Sequence, residues 1–475
     1  MNRRTFLECA AWSAGACLAP RGFAAAHSSQ VVSLRVLVDK KLSVIPADFI
    51  GLGYEASSVA APGLLSPNNQ HYVQLVRTLG AHGVVRVGGN NSDYASYQPD
   101  GKPVARAKSS VITRKNLEDL KGFLNATGWR LIWGLNLGSG TAEQAVAEAV
   151  AVDGIMQDKL LAFEIGNEPD LYTHEGHRKG SYRYEDYLAD FRRYRRAIRA
   201  RLPHAPFAGP DAAFTDEWVT RFAADKGHDL TLLTEHYYRG GAGSSSSTLE
   251  ELLEPDAQLE TRLKRLQEAS QSSHVPYRIC ETNSFSGGGK PGVSDTFGAA
   301  LWVLDFMFRL ASHGAAGVNI ETGLNQFDVV SAYSPIGDDR QGSYTAKPDY
   351  YGMLAFAQAS QGTLVAAELD AGGVNLTAYP VMRPDGGLVV TIINKDEGRD
   401  ADVELAAGME EACGQVVRLA APSLGSLQRV TLAGAAVDER GRWFAGAAER
   451  VSMAAGRCRI RVGAGSAALV TLERN

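Results

Sequence analysis

The chain has 475 residues, 45% of them hydrophobic, enough apolar material for one large core and a smaller one. A formal net charge of −5 leaves no basic excess to neutralise phosphates, which argues against nucleic acid as a partner. Beyond the extreme N-terminus no run is apolar enough to cross a bilayer, so no stable membrane anchor is expected.

The N-terminus, "MNRRTFLECAAWSAGACLAPRGFAAAHSS", combines two arginines, a short apolar stretch and a small-residue site at Ala24-Ala25-Ala26. It reads as a cleaved export signal over residues 1–26. Arg3-Arg4 followed by Phe6-Leu7 resembles the twin-arginine signal of bacteria, whose cargo crosses the membrane folded and reaches the periplasm or the medium. A Sec-type signal with two chance arginines is the alternative. Ala14 stands where a lipoprotein signal has an aliphatic residue, so Cys17 is not read as a lipid anchor. Cleavage would remove Arg3, Arg4, Arg21 and Glu8, leaving 45 basic against 52 acidic residues.

Next comes "VVSLRVLVD", a strand-like alternation within residues 27–45. From residue 46 to 362 a regular rhythm takes over. Short apolar runs recur at 49–56, 83–90, 129–138, 161–170, 206–213, 230–238, 276–284 and 314–323, separated by segments of helical period. Eight strand-then-helix units predict a (β/α)8 TIM barrel with insertions. A doubly wound sheet would need a glycine fingerprint after its first strand, and "FIGLGYEASS" has none. Ser244 to Ser247 is expected to be a flexible loop tip after strand six. From residue 363 to 475 short alternating runs predict an all-β sandwich, which the N-terminal strand joins.

Three cysteines remain after the signal: Cys280, Cys413 and Cys458. An odd number means at least one free thiol, and no spacing suits a structural zinc site. A Cys413–Cys458 bridge is possible but optional. Alternation along strand seven predicts that Cys280 points outward to the helices, buried and unreactive.

Chemistry in such a barrel gathers at the C-terminal ends of the strands. "FEIGNEPDLY" puts Asn167 and Glu168 at that end of strand four, and "ICETNSF" puts Glu281 at that end of strand seven. Two carboxylates facing across a barrel mouth can cleave a glycosidic bond with retention when they lie about 5–5.5 Å apart, and the reaction needs no cofactor or metal. In "NSFSGGGKPG", Gly287, Gly288 and Gly289 offer bare amides to an anion, with Ser286 and Lys290 as flanking donors. A merely flexible glycine loop is the structural alternative. The same stretch fails as a phosphate loop, because Pro291 stands where Ser or Thr should bind magnesium.

"FEIGNEPDLY", "GPDAAF", "HYY", "ETNSFSGGG" and "AYSPIG" together resemble glycoside hydrolase family 79, the β-glucuronidase and heparanase family of clan A. The resemblance covers essentially the whole mature chain. It implies Glu168 as general acid/base, Glu281 as nucleophile and Asn167 on the sugar 2-hydroxyl. It further implies Arg86 and Tyr238 as the groups that keep the nucleophile ionised, Glu55 as the acid on the distal hydroxyls and Tyr333 as a subsite tyrosine. Arg86 also has a structural reading, an ion pair with Glu164. Tyr237 rivals Tyr238 if the register is off by one, and His236 has a supporting role in the wall. Two departures stand out: Glu321 where many relatives carry a histidine, and Ser286 where some carry a tyrosine. The expected activity is retaining β-glucuronidase. An endo-acting heparanase-like enzyme, a clan A enzyme for a neutral sugar and a non-catalytic carbohydrate-binding barrel are the alternatives.

Overall fold

A computed structural model of the chain describes residues 28–106, 108–213, 215–324, 331–409, 412–446 and 448–474; the export segment read from the sequence lies outside the described residues. Eight parallel strands form the barrel: Ile50–Glu55, Val84–Gly88, Arg130–Leu135, Leu160–Ile165, Ala208–Ala212, Leu232–Gly241, Tyr277–Ser286 and Gly317–Glu321, numbered one to eight in that order. Hydrogen bonding orders them 4-3-2-1-8-7-6-5. A parallel bridge from Phe163 to Phe207 joins the two ends of the path, between strands four and five. Helices follow the strands and start at polar caps. Thr113 and Asn116, and again Thr141 and Gln144, form reciprocal capping boxes that satisfy the first free amides of their helices.

The barrel interior is unusually polar. One layer is apolar: Val84, Ile132, Ala162, Ala208, Leu232 and Cys280, from strands two to seven, form a single cluster. Below it Arg278 donates to the carbonyls of Phe49 at 3.0 Å and Val318 at 3.1 Å and to Asn319 Oδ1 at 2.7 Å. Gly317 makes room for that guanidinium, since a Cβ there would stand 2.0 Å from its Nη1. Above the apolar layer lies Arg86, wholly buried, with the acids described below.

Cys280 points into the barrel, contrary to the outward direction expected from alternation. Its Sγ lies within 4.8 Å of carboxylate oxygens of Glu164 and Asp211. The cause is a register shift between Ile279 and Glu281 against strand six. The extra residue turns Cys280 and Glu281 to the same interior side. Burial pushes the thiol well up, so it stays a thiol.

The second sheet runs Thr431–Leu432, Ala412–Ala420, Ser466–Arg474, Leu388–Asn394, Leu376–Met382, Thr363–Asp370, Ser28–Val44, Arg399–Ala406, Arg457–Val462. The N-terminal strand is antiparallel to Thr363–Asp370 and parallel to Arg399–Ala406. Val32, Leu34, Val403 and Ile460 from one end of this path share a core with Val390, Ile392, Val470 and Leu472 from the other, so the sheet folds over into a sandwich. The alternate residues Val389, Ile393, Ala467 and Leu469 pack into the barrel core instead. Leu388–Asn394 and Ser466–Arg474 are therefore central strands buried on both faces.

Cys413 and Cys458 form no bridge; both are free, the first exposed and the second buried. Ser244 to Ser247 forms a hydrogen-bonded turn rather than a loose tip: Ser247 is buried and its Oγ donates to the Gly241 carbonyl at 2.8 Å.

Candidate active site

Strand four ends in two left-handed residues, Gly166 at φ 84° and Glu168 at φ 47°, which break the alternation and bring Asn167 and Glu168 to the mouth. Pro169 then starts a short 3-10 turn. The turn is tied down from behind. Asp93 Oδ2 accepts the Asn167 amide at 3.2 Å and the Tyr172 hydroxyl at 2.7 Å. The Glu168 amide donates to the Asp211 carbonyl at 3.0 Å.

Arg86, on strand two, organises the floor. Its Nε donates to Glu164 Oε2 at 2.9 Å, Nη1 to Glu281 Oε2 at 2.8 Å and Nη2 to Asn167 Oδ1 at 2.9 Å. Nη2 also bonds Asp211. Arg86 thus pairs with Glu164 and also reaches Glu281. Glu281 has its second oxygen, Oε1, on the Tyr238 hydroxyl at 2.9 Å. Glu281 thus has one oxygen on a guanidinium and the other on a phenol.

Glu168 has a different environment. Its Oε1 lies 2.9 Å from His236 Nδ1, and His236 Nε2 lies 2.9 Å from Asp211 Oδ1. Burial alone would lower the proton affinity of His236, but Asp211 and Glu281 raise it well above the usual range, so the ring is an imidazolium. Burial also opposes ionisation of Asp211, yet Arg86 and His236 hold its carboxyl down to about 2. For Glu168, burial wins over the imidazolium and raises its carboxyl above the ordinary value. Glu164 is likewise pushed up, to about 7, by burial and by Asp211. An oxygen of Glu168, a nitrogen of His236 and an oxygen of Glu281 all lie within 4.8 Å of one another. Arg86 brings a positive charge to this cluster through its bond to Glu281.

Tyr333 is buried, and its ring stacks on Tyr238 at 6.3 Å between centroids. Tyr237 faces the other way, stacked on Phe306 at 5.6 Å with its hydroxyl on Asp256. Glu55 is buried and its Oε2 accepts the Asn91 amide at 2.8 Å. Gly287, Gly288 and Gly289 have φ of 79°, 88° and 78°, which only glycine adopts cheaply. The Gly288 carbonyl accepts the Ala332 amide at 2.7 Å, joining this loop to the Tyr333 segment. Among the described residues none of the three glycine amides donates to a protein acceptor. Ser286 is half-buried at the start of the loop. Lys290 is turned away, its Nζ on the Ser244 carbonyl at 3.2 Å.

Reasoning from the sequence assigned no role to Asp211 or Asp93, although "GPDAAF" and "GGNNSDY" contain them. It also missed Glu175, a half-buried acid pushed up to about 7 by burial and then by Glu168, Asp93 and Glu281, at the rim of the same mouth.

Fold and site together define a class: a (β/α)8 barrel with one carboxylate just past strand four and another midway along strand seven, which runs on to Ser286 beyond the end expected from the sequence. A family model described as the glycosyl hydrolase family 79 N-terminal domain matches residues 73–307. A β-glucuronidase of Aspergillus niger is 30% identical over 341 residues, 65% of this chain and 62% of that one. A β-glucuronidase of Neurospora crassa is 28% identical over 326 residues, 60% of this chain and 57% of that one. The chain thus spans about three fifths of the length of these two relatives. A solved 4-O-α-L-rhamnosyl-β-D-glucuronidase from Fusarium oxysporum superposes with a TM-score of 0.77 at 18% identity, over 92% of this chain and 100% of that one, a likeness of fold. The chain belongs to glycoside hydrolase family 79.

Proposed function

We propose that the protein is a retaining β-glucuronidase that releases β-linked glucuronic acid from glycosides or from glycosaminoglycan-type or plant polysaccharides. The observation that carries this reading is the carboxylate pair with oxygens within 4.8 Å. Oxygens this close support direct attack by one carboxylate, for which the groups lie about 5–5.5 Å apart, over the about 6.5–9.5 Å of an inverting enzyme. The two environments divide the roles. Glu281, oriented by Arg86 on one oxygen and Tyr238 on the other, attacks the anomeric carbon while the bond to the leaving oxygen breaks. Glu168, whose proton affinity burial raises, gives that oxygen its proton. In the second step Glu168, now a carboxylate, takes a proton from water, the water oxygen bonds to the anomeric carbon and Glu281 leaves. Asn167, fixed by Arg86 and Asn90, has a second amide hydrogen left for the sugar 2-hydroxyl.

The amides of Gly287, Gly288 and Gly289, which donate to no acceptor among the described residues, support recognition of the sugar carboxylate, which would need donors once buried. The contact of Gly288 with the Tyr333 segment, and of Tyr333 with Tyr238, makes loop and nucleophile one continuous wall. The β-glucuronidases among the relatives support the same sugar. A panel of aryl β-glycosides tests this: glucuronide, glucoside, xyloside and galacturonide. The glucuronide is expected to exceed the glucoside by about 10⁴-fold in kcat/KM, because the glucoside leaves buried donors unpaired. Comparable rates would move the protein to a neutral-sugar specificity.

Residues 46–362 are read as the catalytic barrel and residues 363–475 as its sandwich. Among the described residues no helix is long and apolar enough to cross a membrane. The Arg3-Arg4 segment supports export by the twin-arginine route, so Arg3→Lys with Arg4→Lys should hold the protein in the cytoplasm, detectable by fractionation. Unchanged export of that variant would favour a Sec signal.

A further inference from the structure

Glu321, the last residue of strand eight, is buried at 1% exposure and takes no part in the steps above. Its Oε1 accepts the Gly323 amide at 3.2 Å. Its Oε2 has no hydrogen-bond partner among the described residues. The space it occupies is made by Gly53, its neighbour on strand one, where a Cβ would stand 2.3 Å from Oε2. The groups facing it come from every neighbouring element: Tyr54 and Glu55 from strand one, Arg86 from strand two, Tyr238 from strand six, Glu281 from strand seven and Tyr333 from the loop beyond. Arg86 is the one cation among these groups, and its named bonds go to Glu164, Glu281, Asn167 and Asp211 rather than to Glu321.

A buried carboxyl oxygen without a partner is costly, and the described residues supply none. Tyr238, Glu281 and Tyr333 line the pocket where the sugar would sit, so the missing partner has an obvious source. We propose that Glu321 is a substrate-binding residue whose Oε2 hydrogen-bonds an oxygen of the sugar held against Glu281. This rests on the glycosidase reading above. Burial, then Glu281 and Glu55, raise its carboxyl well above the ordinary range, so Oε2 carries a proton and acts as donor. A donor of this kind serves either a ring hydroxyl or the sugar carboxylate, where an ionised glutamate would repel the latter.

The experiment compares wild type, Glu321→Gln and Glu321→Ala on 4-nitrophenyl β-D-glucuronide and the matching glucoside. Glutamine keeps a neutral donor in place and is expected to stay within about threefold of wild type in kcat/KM, whereas alanine loses about 10- to 100-fold. A loss confined to the glucuronide identifies the carboxylate as the acceptor; equal losses on both identify a hydroxyl. A folded Glu321→Ala protein with wild-type kcat/KM overturns the assignment, as does a glutamine variant as impaired as alanine. Wild type inactive on every glycoside would instead overturn the glycosidase reading, and this one with it.

Discussion

At the scale of single residues, the division of labour between two chemically identical side chains follows from their partners. Glu281 has a guanidinium and a phenol on its two oxygens, while Glu168 has a buried site and one imidazolium. His236 pulls the proton affinity of Glu168 down and burial pushes it up, with burial the larger effect. Replacing the imidazolium with a neutral amide in His236→Asn should therefore let the Glu168 carboxyl rise further. The alkaline limb of the kcat/KM–pH profile on an aryl glucuronide should move to higher pH; a limb that stays or falls would deny His236 this role. Glu168 and Glu281 were legible in the sequence because each ends a strand-like run in a short motif. Asp211 and Asp93 were not, because what they do depends on contacts with residues 125 and 74 positions away, Arg86 and Asn167. Cys280 was misread for a local reason: alternation predicts a face only while the register is unbroken, and strand seven breaks it at that residue.

At the scale of elements, all eight barrel strands were visible as apolar runs bounded by turn residues, and their helices as segments of helical period. Thr363–Asp370 and Arg399–Ala406 were not picked out, since the first buries few of its residues and the second alternates through small and acidic residues. The helix Ala142–Met156 carries a feature invisible to periodicity, an acid on its buried face. Glu148 Oε1 accepts the Trp133 indole N–H at 2.9 Å from strand three. Burial pushes the Glu148 carboxyl up from 4.5 to about 7. The folded state then holds a proton that the unfolded chain gives up between those values, so stability falls as pH rises from about 4.5 and the fall is complete above about 7. Glu148→Gln keeps the indole bond and removes the titration. It should match wild type in urea unfolding near pH 4 and exceed it by about 3 kcal/mol near pH 8. A difference independent of pH would assign the effect to packing instead.

At the scale of the whole molecule, the sandwich is fastened to the barrel by charge as well as by apolar packing. Asp305, on the barrel helix Phe297–Ser312, accepts from Thr377 Oγ1 at 2.6 Å, Tyr379 Oη at 2.7 Å, Lys395 Nζ at 2.8 Å and Arg309 Nε at 3.0 Å. Thr377, Tyr379 and Lys395 all belong to the sandwich side, and Tyr379 also stacks on Phe308 of that helix at 4.9 Å. Removing Asp305 would leave the buried Lys395 ammonium without its carboxylate, a costly loss. This junction was not legible in the sequence, where Asp305 looks like one acid in an apolar helix. The polar floor inside the barrel has the same logic: glycines at Gly53 and Gly317 give up volume so that charged side chains can meet in the interior. On the proposed mechanism all of this positions one nucleophile, Glu281, and that claim has a direct measurement. Incubation with a 2-deoxy-2-fluoro-β-D-glucuronyl fluoride slows breakdown of the glycosyl ester, and peptide mass spectrometry then locates it. An adduct of one sugar on the peptide containing Glu281, with loss of activity in proportion, is the predicted result; an adduct on Glu168, or turnover with no covalent species, would contradict it.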